Sequence, residues 1–371
     1  MIVKLISTGL LSASIFYAGQ ACAASYAFTD LGSNSAASAI NNTHAVAGQA
    51  NSYATLWSNG AASGVTLPGG TGSVANAIND VGAVAGSSPD AGGVAHAALW
   101  NGATVSNLDT SATWSTSFAT AINAQNQVAG FGYGHASDGS PHAAMWTNGT
   151  ALDLGTLTVG KSSFASGINN AGIVVGNAYA SDDSNQAVMW NSSGVMIDLG
   201  NAGVNSSAAA VNTAGLVVGF ATATDNFDHA TAWNITSDGI VNSTVLGILA
   251  GSDASYASAV NGAGTVVGYS VDTDQIKYAT IWNGTMALDI NQFLDSATKN
   301  AGWVLTSATG INDLGSIVGI AENSVSGAQH AFLLTVSAVP EPESYAMLLA
   351  GLCLMGSLTH RSRRSNKVSR A

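Results

Sequence analysis

The sequence has 371 residues with only 9 basic against 21 acidic side chains, which gives a formal net charge of −12. Between residues 24 and 339 the imbalance is larger, because three lysines face nineteen acidic residues and leave a net charge of −16. Nucleic acid is therefore excluded as a partner, since its binding needs Lys and Arg to neutralise phosphates. The same segment has no cysteine, which excludes disulfides and thiolate metal sites there.

Residues 1–23 have the features of a secretory signal peptide. A single Lys4 precedes an apolar stretch, and the small residues Ala21 and Ala23 mark a cleavage site. Because such a leader directs export, we expect the mature protein to be found outside the cytoplasm.

Residues 24–336 contain a repeat that occurs seven times. Each copy has an Asn that is followed seven positions later by a Gly. The pairs are Asn41 and Gly48, Asn79 and Gly86, Asn123 and Gly130, Asn169 and Gly176, Asn212 and Gly219, Asn261 and Gly268, and Asn312 and Gly319. The period of about 45 residues is that of a propeller blade of four short strands. The sequence therefore predicts an all-β fold, a seven-bladed β-propeller.

Each repeat predicts four strands, which we call A to D from the propeller axis outward. Strand A has small residues at alternate positions, as close approach around the axis requires. The Asn then begins a tight turn whose last position needs a positive φ, and it is Gly in five repeats but His44 and Asn126 in the others. Strand C ends in Trp in six repeats. We interpret that Trp as packing between blades.

The two ends of the repeat region each hold part of one blade. The seventh repeat stops after its strand C, whereas Tyr26–Gly32 has the pattern of a strand D with no strand A, B or C before it. We predict that this N-terminal strand completes the last blade and closes the ring, because closure removes the unpaired edges that an open sheet would leave.

The candidate binding residues are acidic and lie in the predicted B–C loops, which share one face of a propeller with the D–A loops. Loops of variable length on a rigid scaffold are where binding sites usually occur. Calcium prefers several oxygen ligands, so these carboxylates suit calcium or a ligand, the alternative being a role in solubility alone. The candidates are Asp182, Asp183, Asp225, Asp228, Asp272 and Asp274.

No catalytic residue is assigned. The sequence has no Gly-x-Ser-x-Gly elbow, no His-Glu-x-x-His and no phosphate-binding loop. Four His precede strand C at equivalent positions, but sevenfold placement spreads them around a ring and does not gather them at one metal. They are His96, His142, His229 and His330.

Residues 337–371 differ from the repeats. Pro340, Glu341 and Pro342 precede an apolar stretch of about 14 residues, which is short for a stable membrane span. A basic cluster then marks the cytoplasmic side. Its members include Arg361, Arg363 and Arg364. Together these features resemble the PEP-CTERM sorting signal.

This resemblance implies export from a Gram-negative bacterium, transient anchoring in the inner membrane by a C-terminal transmembrane helix, and processing by an exosortase. The Pro-Glu-Pro residues would be the recognition motif and the three arginines the basic stop. The repeats resemble the extracellular HAF repeat, which His330, Ala331 and Phe332 spell out. Proteins with such tails are associated with exopolysaccharide and with the biofilm matrix.

We therefore expect a secreted structural or binding component of the exopolysaccharide or biofilm matrix, with the acidic loop face as its contact surface and no cofactor except possible calcium. Two alternatives stay open. One is a secreted polysaccharide hydrolase or lyase that uses loop carboxylates, and the other is a calcium-dependent glycan-binding module.

Overall fold

The structure is a computed structural model, and it describes residues 25–58, 64–109, 114–134, 139–200, 205–235 and 241–337. One compact unit spans Tyr26–Val336. The second unit consists of Met1–Ser25 and Ser337–Ala371, of which only Ser25 and Ser337 are described. Several predicted features lie outside the described residues: the signal peptide with Ala21 and Ala23, and the sorting residues Pro340, Glu341, Pro342, Arg361, Arg363 and Arg364.

The described chain forms seven four-stranded antiparallel sheets, so the predicted all-β seven-bladed propeller is confirmed. Blades 1 to 6 each take strands A to D from consecutive chain. Blade 1 consists of Ser35–Ile40, Val46–Ala50, Tyr53–Trp57 and Val65–Thr66; blade 2 of Val74–Ile78, Val84–Pro89, Ala95–Asn101 and Thr104–Asn107; blade 3 of Thr116–Ile122, Val128–Tyr133, His142–Thr147 and Thr150–Asp153. Blade 4 consists of Ser163–Ile168, Val174–Tyr179, Asn185–Trp190 and Met196–Asp198; blade 5 of Ser206–Val211, Val217–Thr222, Asp228–Ile235 and Val241–Val245; blade 6 of Ser252–Val260, Val266–Asp272, Lys277–Asn283 and Met286–Asp289.

Blade 7 takes its strands from both ends of the repeat region. Strands A to C are Trp303–Ile311, Ile317–Asn323 and Gln329–Ser337, and Ser25–Ser33 occupies the outer position beside strand C. A 3-10 helix, Ile290–Phe293, and a short α-helix, Ser296–Asn300, connect blade 6 to blade 7.

The repeated Asn links the blades in a closed ring of hydrogen bonds. Each Asn side chain is buried, and its Nδ2 donates to the backbone oxygen of the equivalent Asn in the next blade at 2.9 to 3.2 Å. The seventh bond runs from Asn312 to Asn41 at 3.0 Å and joins the last blade to the first. The Oδ1 of such an Asn accepts backbone N–H groups of its own turn. Asn169, for example, accepts from Ala171 and Ile173.

The turn chemistry predicted after the Asn is confirmed. The fourth turn residue has a positive φ in all seven blades, including 61° at His44 and 58° at Asn126. Asparagine and histidine tolerate this left-handed region better than most residues with a side chain, which is why they can replace glycine here.

The repeated Gly is required by a bulge in strand A. In every blade the pairing of strands A and B skips the residue three positions before the Asn. This bulge pushes a strand A carbonyl toward strand B, so that a Cβ on the Gly would lie 1.9 to 2.1 Å from that oxygen. No side chain fits at that distance.

The core lies between blades, as predicted for the Trp. The six Trp residues at the ends of the C strands are at most 1% exposed, and Trp146 packs against Ala77, Ala85 and Leu108 of the preceding blade. Several of the indoles also donate to a backbone oxygen in or just after strand D of the preceding blade, as Trp190 does to the Leu154 oxygen at 2.8 Å.

Candidate functional site

Aromatic side chains cluster at two strand positions near the propeller axis, toward the face that carries the B–C and D–A loops. One position is in strand A, five residues before the Asn, and the other is in strand B, eight residues after it. In blades 3 to 6, six of these eight positions hold half-buried aromatic residues, and the other two hold Asn177 and Ser207. We call the six the aromatic arc: Phe118, Phe131, Phe164, Phe220, Tyr256 and Tyr269. In blades 7, 1 and 2 they hold no aromatic residue: Ser307, Ile320, Ala36, Gln49, Val74 and Ser87. The arc therefore occupies one side of the ring only.

The first half of the arc lies on blades 3 and 4. Phe118 and Phe131 are cross-strand partners whose rings stack with centroids 5.2 Å apart. Phe164, from the next blade, meets Phe131 edge-on at 5.0 Å. We call these three residues the first stack.

The second half has a related arrangement on blades 5 and 6, in which the edge-on ring comes from strand B of the preceding blade and not from strand A of the following one. Tyr256 and Tyr269 are cross-strand partners whose rings stack at 5.0 Å, and Phe220 meets Tyr256 edge-on at 5.1 Å. These three residues form the second stack. The Lys277 ammonium lies 4.9 Å from the centre of the Tyr269 ring, a cation–π contact that shows the negative character of that ring face.

The second stack carries a hydrogen-bonded phenol. Tyr256 donates its hydroxyl to Asp228 at 3.0 Å, and Thr222 donates to the other oxygen of the same carboxylate at 2.7 Å. Burial, together with the neighbouring Asp228 charge, raises the pKa of Tyr256 to about 12. The phenol therefore stays neutral over the physiological range and fixes the ring by its contact with Asp228.

A groove with a cavity of about 280 Å³ runs from the second stack toward blade 4. Phe220, Tyr256 and Tyr269 form its aromatic side. Ser166, Ser207 and Ser258 supply hydroxyls to it, and within the described ranges none of these hydroxyls has a hydrogen-bond partner in the protein. The groove thus combines ring faces with hydroxyls that are free to bind a ligand.

Two of these serines occupy the strand A bulge position. At that position in other blades the longer polar side chains reach the neighbouring blade: Asn76 donates to Ala119, Thr120 to Ala165, and Thr309 to Ala37. Ser166 and Ser258 make no such bond in the part of the chain that the structure describes, so blades 4 and 6 leave hydroxyls available there.

A second cavity, of about 300 Å³, lies on the loop side of Tyr256. Asp228, Asp253 and Asp272 line it, with Asn226 and Gln275. The structure places Asp228 and Asp272 in strands rather than in the predicted B–C loops, because pairing extends to Thr222 with Asp228 and to Ser252 with Asp272. Asp253 is presented by an additional bulge of strand A, between Ser252 and Ala254.

The other predicted acidic residues do not join this cavity. Asp183 forms an ion pair with Lys161. Asp182 accepts from the hydroxyl and N–H of Ser184, and these hydrogen bonds hold the pKa of its carboxyl below the usual value. Asp274 lies in the exposed turn after Asp272, to which it donates its backbone N–H.

Asp225 pairs with a histidine instead. Its carboxylate lies 2.8 Å from Nε2 of His229, and this hydrogen bond is the main reason why the pKa of Asp225 is lowered. The remaining three His of the equivalent strand C positions also face carboxylates. His96 faces Asp90, His142 faces Asp153, and His330 faces Asp30 of the N-terminal strand.

Within the described ranges, no three His, Cys, Asp or Glu side chains converge closely enough to hold a metal ion. Over the same ranges no helix is both long enough and apolar enough to cross a membrane. The predicted C-terminal span lies outside them.

A separate cavity of about 250 Å³ lies at the axis on the opposite face, where the A–B turns meet. The Asn ring and the residues that follow it line this cavity, including Asp80 and Asp313. Asn42 donates to both carboxylates, at 2.9 and 3.3 Å. These hydrogen bonds between side chains of different blades stabilise this end of the ring.

The aromatic arc was not predicted from the sequence. The predictions rested on positions that all seven repeats share, whereas the arc occupies aligned positions in four blades only. The signal was present, because Phe118 and Tyr256 both lie five residues before their Asn, and Phe131 and Tyr269 both lie eight residues after it.

Comparison with known proteins identifies the C-terminal segment. Residues 338–364 match the PEP-CTERM protein-sorting motif, which confirms the predicted sorting signal. The motif implies recognition by an exosortase and secretion from a Gram-negative bacterium. The search of curated proteins found no match.

Several solved structures are distantly similar to the chain. A putative gluconolactonase is 10% identical, with 65% of this chain and 81% of that chain covered and a TM-score of 0.37. A triple mutant of AofleA from Arthrobotrys oligospora is 12% identical, with coverages of 71% and 86% and a TM-score of 0.39. A six-bladed fungal lectin with fucose recognition, from Aleuria aurantia, is 13% identical, with coverages of 72% and 95% and a TM-score of 0.36.

Proposed function

We propose that this protein is an exported carbohydrate-binding component of the extracellular or cell-surface matrix and that it binds glycan through the aromatic arc. The observation that carries the proposal is the groove beside the second stack. There, half-exposed rings and free serine hydroxyls line one cavity. The arc is restricted to blades 3 to 6, although every blade has the same backbone.

The chemistry of the groove suits a sugar. A pyranose has apolar C–H faces and a rim of hydroxyls, so it packs against aromatic rings and needs a few well-placed polar partners. Tyr256 and Phe220 supply the rings, and Ser207 and Ser258 supply hydroxyls that both donate and accept. A purely apolar ligand would leave those hydroxyls unpaired, which costs free energy.

The export route agrees with this role. Recognition by an exosortase follows from the C-terminal motif at residues 338–364. We propose that a signal peptide at residues 1–23 starts export, that the C-terminal segment anchors the chain transiently in the inner membrane, and that the repeats are of the HAF type. Exopolysaccharide is the partner that we expect outside the cell.

We also propose that the N-terminal strand closes the ring in the exported protein. Its outer position in blade 7 and the contact between Asp30 and His330 at 2.8 Å support this proposal. The closed ring keeps the strands of the arc fixed relative to one another.

Calcium binding by the acidic loops stays a prediction. It is tested by the melting temperature of the protein with calcium and then with chelator. A shift that chelator reverses would add calcium to the site. No shift would leave Asp228, Asp253 and Asp272 as acceptors for ligand hydroxyls.

The test of the function is a glycan array probed with the purified protein. Wild type and Tyr53→Ala, a variant of a half-buried tyrosine on blade 1, should give the same saturable signals. Tyr256→Ala should lose them. Folding of each variant is checked by its melting temperature. Absence of any signal from folded wild type, or full binding by folded Tyr256→Ala, contradicts the proposal. Release of shorter glycans from the bound material would support the enzyme alternative.

A further inference from the structure

We propose that the ligand is an uncharged polysaccharide chain that contacts both aromatic stacks at once, and not a single terminal sugar. This inference rests on the proposed function and specifies its ligand. Three features of the site carry it: the presence of two stacks, the groove that runs from the second stack toward the strand of Phe164, and the charge around the second stack.

The two stacks are built from the same kinds of ring contact, although the edge-on ring comes from the following blade in the first stack and from the preceding blade in the second. In each, a cross-strand pair of rings within one blade stacks at 5.0 or 5.2 Å, and a ring from an adjacent blade meets the pair edge-on. The members occupy the same two positions of the repeat. If the protein bound an isolated sugar, one such stack would suffice, so the second stack indicates a second contact point for the same kind of ligand.

The groove runs from the second stack toward the blade that carries Phe164. It begins at Tyr256 and Phe220 of the second stack and reaches Ser166 of blade 4. Ser166 lies in the same strand as Phe164 of the first stack, two residues further along, although the rings of the first stack do not line the groove. A chain that lies along the groove therefore passes over free serine hydroxyls toward the strand of Phe164, and it must extend beyond the groove to touch the first stack. A short ligand occupies only the end at the second stack.

The charge of the site selects against anionic glycans. Within the described ranges, no basic side chain is among the residues that line the serine groove or the neighbouring cavity, while Asp228, Asp253 and Asp272 line the latter. Lys161 pairs with Asp183 and Lys299 donates to a backbone oxygen, so both are engaged elsewhere. Lys277 lies over Tyr269 of the second stack, where it is one cation against three carboxylates. A uronate or sulfate group would therefore meet a net negative charge, which is unfavourable. Charge complementarity thus favours a neutral chain.

Binding at two points changes how affinity depends on ligand length. Once one stack holds the chain, the second contact becomes intramolecular, and linked contacts raise affinity on the order of 10² to 10⁴-fold over one alone. We expect affinity to rise by about 10²-fold when the ligand becomes long enough to reach both stacks, and then to level off.

Calorimetry with purified protein tests this inference. The probes are size-fractionated cello-, malto- and manno-oligosaccharides, from disaccharides upward, with oligogalacturonates as anionic counterparts. The variants are Phe131→Leu and Tyr256→Leu, which keep an apolar side chain but remove the ring, with Tyr53→Leu as the control on blade 1. Melting temperatures establish that each variant is folded.

The inference predicts a steep rise in affinity with length for at least one neutral series. Either stack variant should reduce the affinity for the long ligand to that for a short one, while Tyr53→Leu keeps the wild-type dependence. Oligogalacturonates should bind at least tenfold more weakly. Equal affinity for short and long ligands, dependence on only one stack, or equal binding of the anionic series would overturn the inference and leave carbohydrate binding intact. No binding at any length would refute carbohydrate binding itself.

Discussion

Replacement of Asn169 by Ala tests the ring of asparagines. The side chain is 4% exposed; its Nδ2 donates to Asn212 O at 3.0 Å, and its Oδ1 accepts from Ala171 N and Ile173 N at 3.0 Å each. Alanine removes all three hydrogen bonds. At a net value of about 1 kcal/mol each, the free energy of unfolding should fall by about 3 kcal/mol.

The assay is guanidinium unfolding followed by the fluorescence of the buried tryptophans. Asn101→Ala is the matched control, because this exposed asparagine has no side-chain hydrogen bond in the part of the chain that the structure describes. It should stay within about 0.5 kcal/mol of wild type, as surface substitutions usually do. If Asn169→Ala is no more destabilising than Asn101→Ala, the ring does not stabilise the propeller as we argue.

Three further predictions concern the strands. Gly176→Ala should prevent folding or lower the free energy of unfolding by more than about 3 kcal/mol, because its Cβ would lie 1.9 Å from the Phe164 oxygen. The control Gly92→Ala should be tolerated, because the nearest atom to its Cβ would be a side-chain oxygen at 3.2 Å. Expression yields and melting temperatures distinguish the two variants. Leu31 is 2% exposed, so Leu31→Ala should lower the free energy of unfolding by about 2 to 5 kcal/mol if the N-terminal strand closes the ring. An unfolding midpoint equal to that of wild type would refute the closure. Because the pKa of Tyr256 is raised to about 12, the unfolded chain ionises first, so stability should fall as pH rises from about 10 to about 12. Tyr256→Phe should flatten that fall, and an unchanged profile of melting temperature against pH would contradict the raised pKa.

The features that could be predicted from sequence are those fixed within one repeat. The regular recurrence of the Asn and Gly pair predicted the blade period. The need for a positive φ at the end of the turn explained His44 and Asn126 in place of glycine. This requirement is local to one turn, so it can be read directly from the sequence. The burial of the Trp followed from its size and its regular position.

The hydrogen bonds that the Asn residues make between blades were not predicted. The Asn was interpreted only as a turn residue, because its bond to the next blade joins positions that are 38 to 51 residues apart in sequence, or 271 between Asn312 and Asn41. The Gly had no explanation until the bulge in strand A showed which oxygen it must accommodate.

The candidate site was predicted in part. Of the six acidic candidates, only Asp228 and Asp272 line the cavity beside Tyr256, and Asp253 joins them through a bulge that no sequence pattern indicates. The aromatic rings meet across two or three strands. Their proximity depends on register and on the order of the blades, which only the folded ring provides.

Binding of the purified protein to exopolysaccharide from its own producing cells tests the central claim most directly. The exported protein is mixed with the isolated polymer, and the bound fraction is measured by sedimentation for wild type, Tyr256→Ala and the control Tyr53→Ala. We predict saturable binding by wild type and by the control, and loss of binding in Tyr256→Ala. Folded wild-type protein that stays in solution, or binding that survives loss of the Tyr256 ring, would contradict the claim that the aromatic arc binds matrix glycan.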